Sequence, residues 1–232
     1  MPLKLPSIFA NPEEADNVEG IVSFSYDLNA AMLQDAYFHG LFPWPLNDEI
    51  IPWVSPPERG VIPLEEFHIP RSFQRQLRKG QFELRIDTAF EAVVRGCATQ
   101  ERPEGGTWIT PKIIEAYCEL HEAGWAHSFE TWEKATGRLA GGLYGVSVGK
   151  IFSGESMYHI VTGASKFALV GAAEILRRCG VSILDTEMVT STTALFGARE
   201  VPRSQFLKWL SETKCAPLTI EELRKAQGMD KV

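Results

Sequence analysis

The fold of this protein is decided by residues 126–158, which read AHSFETWEKATGRLAGGLYGVSVGKIFSGESMY. Residues 126–133 have the pattern of a strand, and Ala135-Thr136-Gly137 follows as a turn signal. Two more strand-like runs continue to about Tyr158. Short strands separated by tight turns pair with their neighbours along the chain, so this stretch predicts an antiparallel meander.

Helical and strand patterns alternate around the meander. Residues 164–178 form an apolar helical pattern that stops before Gly180, and a buried strand is predicted over residues 181–185. The remaining predictions are a strand at 82–86, helices at 88–97 and 110–124, and two C-terminal helices from about Pro202 and Thr219. Helices mixed with a central meander indicate the α/β (α+β) class, with a mixed sheet.

The N-terminal part of the chain has a different character. Residues 28–39 are predicted as a helix, with Asp27 as its N-cap and Gly40 just past its end. Residues 42–57 then contain five prolines, which cannot lie inside a helix or a central strand. We therefore predict a small N-terminal domain over residues 1–63 and a larger domain over residues 64–232.

Composition indicates an ordinary globular protein. Hydrophobic residues make up 44% of the chain and charged residues 23%, which argues against long disorder. No apolar run is long enough to span a membrane, and the N-terminus lacks a signal-peptide pattern, so we expect a cytoplasmic protein. The four cysteines have no ligand-like spacing, so we expect reduced thiols and no metal.

One segment departs from the acidic character of the chain. The net charge is −7, yet residues 68–85 hold five basic residues and one acidic residue. On a predicted helix over residues 70–79, four of the basic residues share one face: Arg71, Arg75, Arg78 and Lys79. This basic stripe suggests a specifically docked polyanion, while a solvated helix face stays open as the alternative.

Two short acidic motifs are candidates for a reactive site. Glu155 interrupts an apolar strand in Phe152-Ser-Gly-Glu-Ser-Met-Tyr158, and a carboxylate there must be paired or face a pocket. Asp185 and Glu187 end the buried strand and point to the same side of it, where they could hold an ammonium group or act as base and orienting group. The alternatives are a bulged strand end and a pair of solvent-facing loop acids.

Two other motifs have simpler interpretations. Gly145-Val-Ser-Val-Gly149-Lys150 is one residue short of a phosphate loop and falls within a predicted hairpin. His121 and His127 have no further ligand cluster, which favours structural histidines.

Taken together, the chain resembles the leucyl/phenylalanyl-tRNA–protein transferases over about residues 20–210. The segments that carry the resemblance are Gly40-Leu-Phe-Pro-Trp44, Trp53-Val-Ser-Pro56, His68-Ile-Pro-Arg-Ser72, Gly106-Thr-Trp-Ile-Thr110, His121-Glu-Ala-Gly124, Ala126-His-Ser128, Gly141-Gly-Leu-Tyr-Gly-Val146, Phe152-Ser-Gly-Glu-Ser-Met157, Ala164-Ser-Lys166, Phe196-Gly-Ala198 and Val201-Pro202.

The resemblance implies a fold and a set of site residues. The fold would be a small N-terminal domain followed by an acetyltransferase-like domain of the GNAT type. Trp44, Trp108 and Tyr117 would line the site for the terminal adenosine of the tRNA, where aromatic faces can stack a base. Its polar edge would be Phe152, Gly154, Glu155 and Ser156, and the apolar cavity for the transferred side chain would be Leu143, Met157 and Leu176.

The resemblance also implies the reaction. The enzyme would move Leu, Phe or Met from aminoacyl-tRNA to proteins with an N-terminal Arg or Lys, marking them for N-end-rule degradation. The basic stripe would bind the tRNA backbone, the chain would act as a monomer, and no cofactor is expected. We hypothesise that Asp185 orients the attacking α-amine and accepts its proton, with Glu187 holding the aminoacyl group or the amine.

Three segments depart from the pattern of the family. Ser25-Tyr26 stands where two glycines are usual, and Glu187 stands where the family has glutamine. Thr192 and Leu195 replace an expected histidine and serine. A second carboxylate beside Asp185 would either share a proton or bind a cation more strongly. A normal transferase, one with altered preference, and a paralogue without catalysis all remain open.

Two alternatives belong to other functional classes. One is an acyl-CoA-dependent N-acyltransferase on the same scaffold. The other is a non-catalytic protein that binds tRNA or N-terminal peptides.

Overall fold

The computed structural model describes residues 7–45, 49–100, 107–213 and 216–228. The strands are β1 (Ile21–Ser25), β2 (Phe42–Pro43), β3 (Ile51–Val54), β4 (Glu58–Pro63), β5 (Phe82–Ile86), β6 (Ala126–Glu133), β7 (Leu139–Val148), β8 (Ile151–His159), β9 (Ile183–Glu187) and β10 (Arg199–Pro202). The α-helices are α1 (Ala30–Phe38), α2 (Arg71–Leu77), α3 (Phe90–Thr99), α4 (Pro111–Glu122), α5 (Ala164–Arg178), α6 (Ser191–Ala194), α7 (Arg203–Glu212) and α8 (Ile220–Gly228), and Pro12–Glu14 is a short 3₁₀ helix.

The larger of two sheets has seven strands in the order β10-β4-β9-β8-β7-β6-β5. Strands β5 to β8 pair antiparallel with their chain neighbours, as the predicted meander requires. Strand β9 then pairs parallel with β8, and α5 makes the crossover between them. The prediction of an α/β protein with a mixed sheet is confirmed.

Helices pack on both faces of this sheet. Neighbouring residues of β7 point to opposite faces and therefore contact different helices. Leu143 packs in a cluster with residues of α5, including Ala168 and Leu169. Tyr144 packs in a second cluster with residues of α3 and α4, including Val93. The sheet is therefore the middle layer of the larger part of the molecule.

Local signals place several helix ends as predicted. Helix α4 begins where the Thr110 side chain accepts a hydrogen bond from the Ile113 N–H, with Pro111 at its first position. Before α8, the Thr219 hydroxyl accepts from the Glu222 N–H, and the Glu222 carboxylate accepts from the Thr219 N–H. This reciprocal pair is the predicted capping box.

Helix α1 starts later than predicted. Its N-cap is Asn29, whose side chain accepts a hydrogen bond from the Met32 N–H, and not Asp27. Either side chain can cap a helix, so sequence type alone does not separate the two positions. The helix ends as predicted, with Gly40 in the left-handed conformation just beyond it.

The N-terminal region forms a three-stranded sheet in the order β1-β3-β2, so Pro52 lies in a central strand and the prediction that the prolines of residues 42–57 avoid such strands is wrong. Proline lacks only the N–H donor, and the Pro52 carbonyl oxygen still accepts from the Trp44 N–H at 2.9 Å.

Trp53 of β3 is fully buried, and its indole N–H donates to the Ser25 hydroxyl at 2.9 Å. The same core cluster contains Trp53 and residues of α3 and α4 such as Val93 and Ile113. The boundary between residues 63 and 64 remains a prediction; the strand that precedes it, β4, pairs with β9 and β10 of the larger sheet.

Three of the cysteines, Cys97, Cys118 and Cys179, are free thiols. Cys215 and Gly106, which entered the sequence predictions, lie outside the described residues. Within the described ranges, no helix combines the length and the apolar character needed to cross a membrane.

A matched pair of glycines tests the packing of the β7–β8 ladder. Gly145 of β7 lies opposite Gly154 of β8. A Cβ atom on Gly145 would lie 2.2 Å from the Ser153 carbonyl oxygen, whereas one on Gly154 would have its nearest neighbour at 3.6 Å. We expect Gly145→Ala to lower the free energy of unfolding by about 1–3 kcal/mol, because the backbone must shift. Gly154→Ala is the control and should cost much less; equal losses in denaturant unfolding would contradict this packing.

Candidate active site

Three buried carboxyl groups lie where β8 and β9 run side by side. The parallel register pairs Ser153 of β8 with Asp185 of β9, and Glu155 and Glu187 each follow two residues later. Asp185 is 0% exposed, Glu187 5% and Glu155 9%. The alternative in which Asp185 and Glu187 are solvent-facing loop acids is therefore excluded.

Asp185 is held by four hydrogen-bond donors. Its Oδ1 accepts from Arg59 Nε at 2.8 Å and from the Glu187 N–H at 2.9 Å. Its Oδ2 accepts from Arg59 Nη2 at 2.6 Å and from the Ser153 hydroxyl at 2.7 Å. Two carboxylate oxygens offer about four acceptor sites, so these hydrogen bonds fill the capacity of Asp185.

Arg59 is the partner that the sequence interpretation missed. It is 1% exposed and lies between the rings of Phe42 and Phe206, with its guanidinium carbon 4.6 and 4.5 Å from the two ring centroids. Burial lowers the pKa of Arg59, but the ion pair with Asp185 outweighs burial and raises that pKa above its ordinary value. The only sequence signal was a single basic residue at the start of the apolar strand β4.

Glu155 is bound by two tyrosines. The Tyr117 hydroxyl donates to Glu155 Oε2 at 2.7 Å, and the Tyr37 and Tyr117 hydroxyl oxygens lie 2.5 Å apart. Burial raises the pKa of Glu155 to about 7, although hydrogen bonds from both tyrosines act in the opposite direction. Burial, and then the charge of Glu155, raise the pKa of both tyrosines well above 10.0, so both hydroxyls keep their protons at neutral pH.

Glu187 has an unusual backbone and an incompletely bonded side chain. Its φ angle is +60°, in the left-handed region that side-chain-bearing residues rarely adopt. Its Oε1 is buried and has no hydrogen-bond donor among the described residues, and the same holds for Oε1 of Glu155. Burial first, and then the charge of Glu155, raise the pKa of Glu187 well above its ordinary value.

A cavity of about 260 Å³ opens beside these carboxyl groups. Five residues predicted for the substrate site line it: Leu143, Gly154, Glu155, Ser156 and Met157. The sequence interpretation missed six other residues of its wall, which come from four further elements or their flanks: Gln100, Leu169, Leu184, Thr186, Thr190 and Thr193. The antiparallel pairing of Leu143 with Met157 brings the two predicted apolar residues together.

Two residues predicted for this site lie in the packed core. Phe152 is fully buried, with its ring 5.8 Å from that of Phe129. Leu176 of α5 is also fully buried and belongs to the same hydrophobic cluster. Neither residue is part of the cavity wall described above.

The predicted aromatic residues separate into two groups. The rings of Trp44 and Trp108 are stacked, with centroids 6.1 Å apart and planes inclined by 16°. Tyr117 is 0% exposed and packs edge-on against Tyr144 at 5.3 Å. Because its ring has no open face, Tyr117 contributes its hydroxyl to Glu155 and not a stacking surface.

The helix of the basic stripe is shorter than the predicted helix over residues 70–79, but the four basic residues are exposed. Helix α2 exposes Arg71 and Arg75, and Arg78 and Lys79 follow it and are exposed as well. The opposite side of the helix is anchored by Phe73, which is 5% exposed and meets the ring of Phe196 edge-on at 6.1 Å. The four basic side chains are thus presented together to solvent.

The two simpler interpretations are confirmed. Gly149 and Lys150 form the turn between β7 and β8. The His121 ring contacts the Ala126 carbonyl oxygen at 2.7 Å, and His127 is held between Asp87 at 2.7 Å and the Leu218 carbonyl oxygen at 2.9 Å. Both histidines therefore have structural partners.

The sequence profile described as leucyl/phenylalanyl-tRNA protein transferase matches residues 61–211 of this chain. The chain belongs to this family. A leucyl/phenylalanyl-tRNA–protein transferase from Oleidesulfovibrio alaskensis is 44% identical, with the match covering 90% of this chain and 86% of that one. The corresponding protein from Thiobacillus denitrificans is 46% identical over 83% of this chain and 84% of its own.

Among solved structures, similarity is more distant. A conserved protein of unknown function from Staphylococcus epidermidis matches with a TM-score of 0.42 and 10% identity, over 62% of this chain and 57% of its own. Membership of the leucyl/phenylalanyl-tRNA protein transferase family therefore rests on the sequence matches. The three carboxyl groups of the candidate site, Glu155, Asp185 and Glu187, lie within the matched residues 61–211.

The buried ion pair of this transferase-family protein can be tested by a double-mutant cycle. Arg59→Met leaves the Asp185 charge buried without a partner and should cost about 3–5 kcal/mol of stability. Adding Asp185→Asn removes that charge, so the double variant should be much less destabilised than the sum of the single variants predicts. Denaturant unfolding measures all three.

The exposed pair of Glu66 and Arg199 supplies the control for that cycle. Glu66→Gln should change stability far less than Arg59→Met, because both partners are solvated. Additive losses at Arg59 and Asp185 would contradict the proposed coupling.

Proposed function

We propose that this protein transfers Leu, Phe or Met from aminoacyl-tRNA to the N-terminal Arg or Lys of acceptor proteins in the cytoplasm, marking them for degradation. The observation that carries the proposal is the cavity beside Glu155, in a chain of the leucyl/phenylalanyl-tRNA protein transferase family. An apolar pocket with a few polar groups at one edge suits a small ligand that has one apolar and one polar end.

The cavity would hold the side chain of the transferred amino acid. Leu143, Met157, Leu169 and Leu184 give it an apolar wall. Methionine adapts to several shapes, and apolar pockets separate similar aliphatic and aromatic side chains only modestly. This composition supports the acceptance of more than one apolar amino acid.

Different groups of the protein would bind the terminal adenosine and the acceptor stem of the tRNA. The stacked pair Trp44 and Trp108 supports a binding site for the terminal adenosine, with Gly154, Glu155 and Ser156 at its polar edge. Arg71, Arg75, Arg78 and Lys79 would contact backbone phosphates further along the acceptor stem. Phe152, Tyr117 and Leu176 would support the site from the core behind it.

The reaction is the aminolysis of an ester. The amine nitrogen of the acceptor bonds to the aminoacyl carbon, the bond from that carbon to the ribose oxygen breaks, and one proton moves from nitrogen to the departing oxygen. Holding the two reactants in place can lower the barrier by roughly 7–11 kcal/mol. Positioning is therefore the main contribution that we assign to the protein.

The carboxyl groups would share the remaining work. Asp185 has all its acceptor sites occupied, so we assign it the positioning of Ser153 and of the Glu187 backbone. Glu155 lines the cavity, and its pKa of about 7 suits a group that receives and returns a proton at neutral pH. Glu187 would hold Glu155 and, through it, the attacking amine.

The direct test is transfer of radiolabelled Phe or Leu from tRNA to a peptide that begins with Arg or Lys. We expect transfer by the wild-type protein and a decrease of at least about tenfold in Asp185→Ala, because Ser153 and the Glu187 backbone would no longer have their acceptor. The exposed Glu115→Gln variant is the control and should transfer like the wild type.

Three results, from the transfer assay and from binding measurements beside it, would count against the proposal. Undiminished transfer by a folded Asp185→Ala protein would remove Asp185 from the site. No transfer with intact tRNA binding would indicate a binding protein. Thermal stabilisation by acetyl-CoA, but not by an aminoacyl-adenosine analogue, would indicate an acyl-CoA-dependent acyltransferase.

The basic stripe generates a separate prediction. The double variant Arg71→Ala/Arg75→Ala should bind tRNA more weakly, and the slope of log affinity against log salt should fall by about one for each phosphate that the variant no longer neutralises. Arg177→Ala is the control, since Arg177 lies near the far end of α5, about 20 Å along that helix from its α2-facing start. Equal effects in the two proteins would contradict a role for the stripe.

A further inference from the structure

Glu155 and Glu187 each have a buried carboxyl oxygen, Oε1, without a hydrogen-bond donor among the described residues. A proton on one of the two carboxyl groups would provide the missing donor. The two glutamates lie on neighbouring strands, each two residues beyond the paired Ser153 and Asp185. Ionised carboxyl groups only accept hydrogen bonds, so two ionised glutamates would leave both oxygens unsatisfied and two like charges side by side.

Among the described residues, the donors that α4, α1 and β4 bring to this cluster already have partners. Tyr117 of α4 already donates to Glu155 Oε2, and the hydroxyl of Tyr37 on α1 lies beside that of Tyr117. From β4, Arg59 is bound through Nε and Nη2 to Asp185, and its Nη1 reaches the Gly40 carbonyl oxygen. Asp185 of β9 is an acceptor and carries a further negative charge.

The charge balance of the cluster also indicates that Glu155 and Glu187 are not both ionised. The Arg59 guanidinium and the Asp185 carboxylate compensate each other at bonding distance. An ionised Glu155 adds one negative charge, for which the two tyrosines provide hydrogen bonds. A second charge on Glu187 would have no ion-pair partner in the part of the chain that the structure describes, and buried charges without partners are neutralised by protonation.

We propose that Glu187 is a neutral carboxylic acid in the native protein and donates its proton to an ionised Glu155, so that the pair acts as one singly charged unit. Of the two possibilities that the sequence left open for a second carboxylate, proton sharing is the one favoured here, with Glu155 and not Asp185 as the partner. In this state Glu187 supplies the hydrogen-bond donor that a glutamine would supply at the same position.

The consequence for catalysis rests on the proposed function. A single negative charge on Glu155 would face the cavity, where it can hold the α-ammonium group of an acceptor. The neutral Glu187 would fix the orientation of that carboxylate. At high pH the pair would lose its proton, and the two glutamates would then repel each other.

The pH dependence of stability tests the proton directly. Burial and the Glu155 charge raise the folded-state pKa of Glu187 above its ordinary value of 4.5, so its protonated form is favoured by folding. Glu187→Gln does not titrate at this position and serves as the reference. Compared with it, the wild type should keep its full stability below pH 4.5 and lose stability as the pH rises from 4.5 toward the folded-state pKa of Glu187. The melting temperature of Glu187→Gln should therefore gain on that of the wild type as the pH rises above 4.5.

A matched control separates this effect from a general change of charge. Glu115→Gln removes an exposed carboxyl group on α4, and its melting curve should run parallel to that of the wild type. If Glu187→Gln also runs parallel to the wild type across the pH range, Glu187 is not a buried acid and the proposal is overturned.

Infrared spectroscopy tests the same proton without relying on a variant that folds. The wild-type protein should show the carbonyl stretching band of a protonated carboxylic acid at neutral pH, and the band should fade at high pH. Above pH 7, where Glu155 with its pKa of about 7 is mostly ionised, the band should be missing in Glu187→Gln. A wild-type spectrum without such a band at neutral pH would overturn the proposal by itself.

Transfer assays then separate this inference from the proposed function. We expect the transfer rate of the wild type to fall at high pH, where the pair loses its proton, and the rate of Glu187→Gln to fall less over the same pH range. If the wild type shows the band but transfers nothing, the proton is real and the proposed function fails. If the wild type transfers but has neither the band nor the stability difference, the proton assignment fails.

Discussion

The buried ion pair between Arg59 and Asp185 is the interaction on which the arrangement of this molecule depends. Its two residues are 126 positions apart, and it ties β4 to its neighbour β9 in the larger sheet. The Arg59 side chain also reaches the N-terminal region through Phe42 and the Gly40 carbonyl oxygen, and helix α7 through Phe206. Since burying these charges is costly unless both are paired, the three parts of the chain must come together in one way.

The candidate site follows from that constraint. Asp185, fixed by Arg59, accepts hydrogen bonds from Ser153 on β8 and from the Glu187 backbone. Glu187 is held at a positive φ angle, a conformation that local sequence does not favour. Its carboxyl group is buried, as is that of Glu155, to which Tyr117 of α4 donates a hydrogen bond. The resulting cluster of one base and three acids is compact, buried and directly beside an apolar cavity.

Much of the fold could be predicted because its signals are local. Helix α5 has the predicted bounds, the meander pairs as its turns require, and the Thr219–Glu222 capping box forms. The site was only partly predictable. Strand pairing could place Leu143 beside Met157, but nothing local identified Arg59 as the partner of Asp185, showed that Tyr117 has no open face, or placed Glu187 against Glu155. Those facts depend on interactions between distant segments, which one sequence does not reveal.

In the proposed reaction, the cavity beside Glu155 receives the apolar side chain of an aminoacyl ester. A crystal structure of the protein with a phenylalanyl-adenosine analogue would show whether it does. We predict the phenyl ring between Leu143 and Met157, the adenine against the Trp44–Trp108 pair, and the amino-acid carbonyl carbon within reach of Glu155. An analogue bound elsewhere, with the cavity beside Glu155 empty, would contradict the claim.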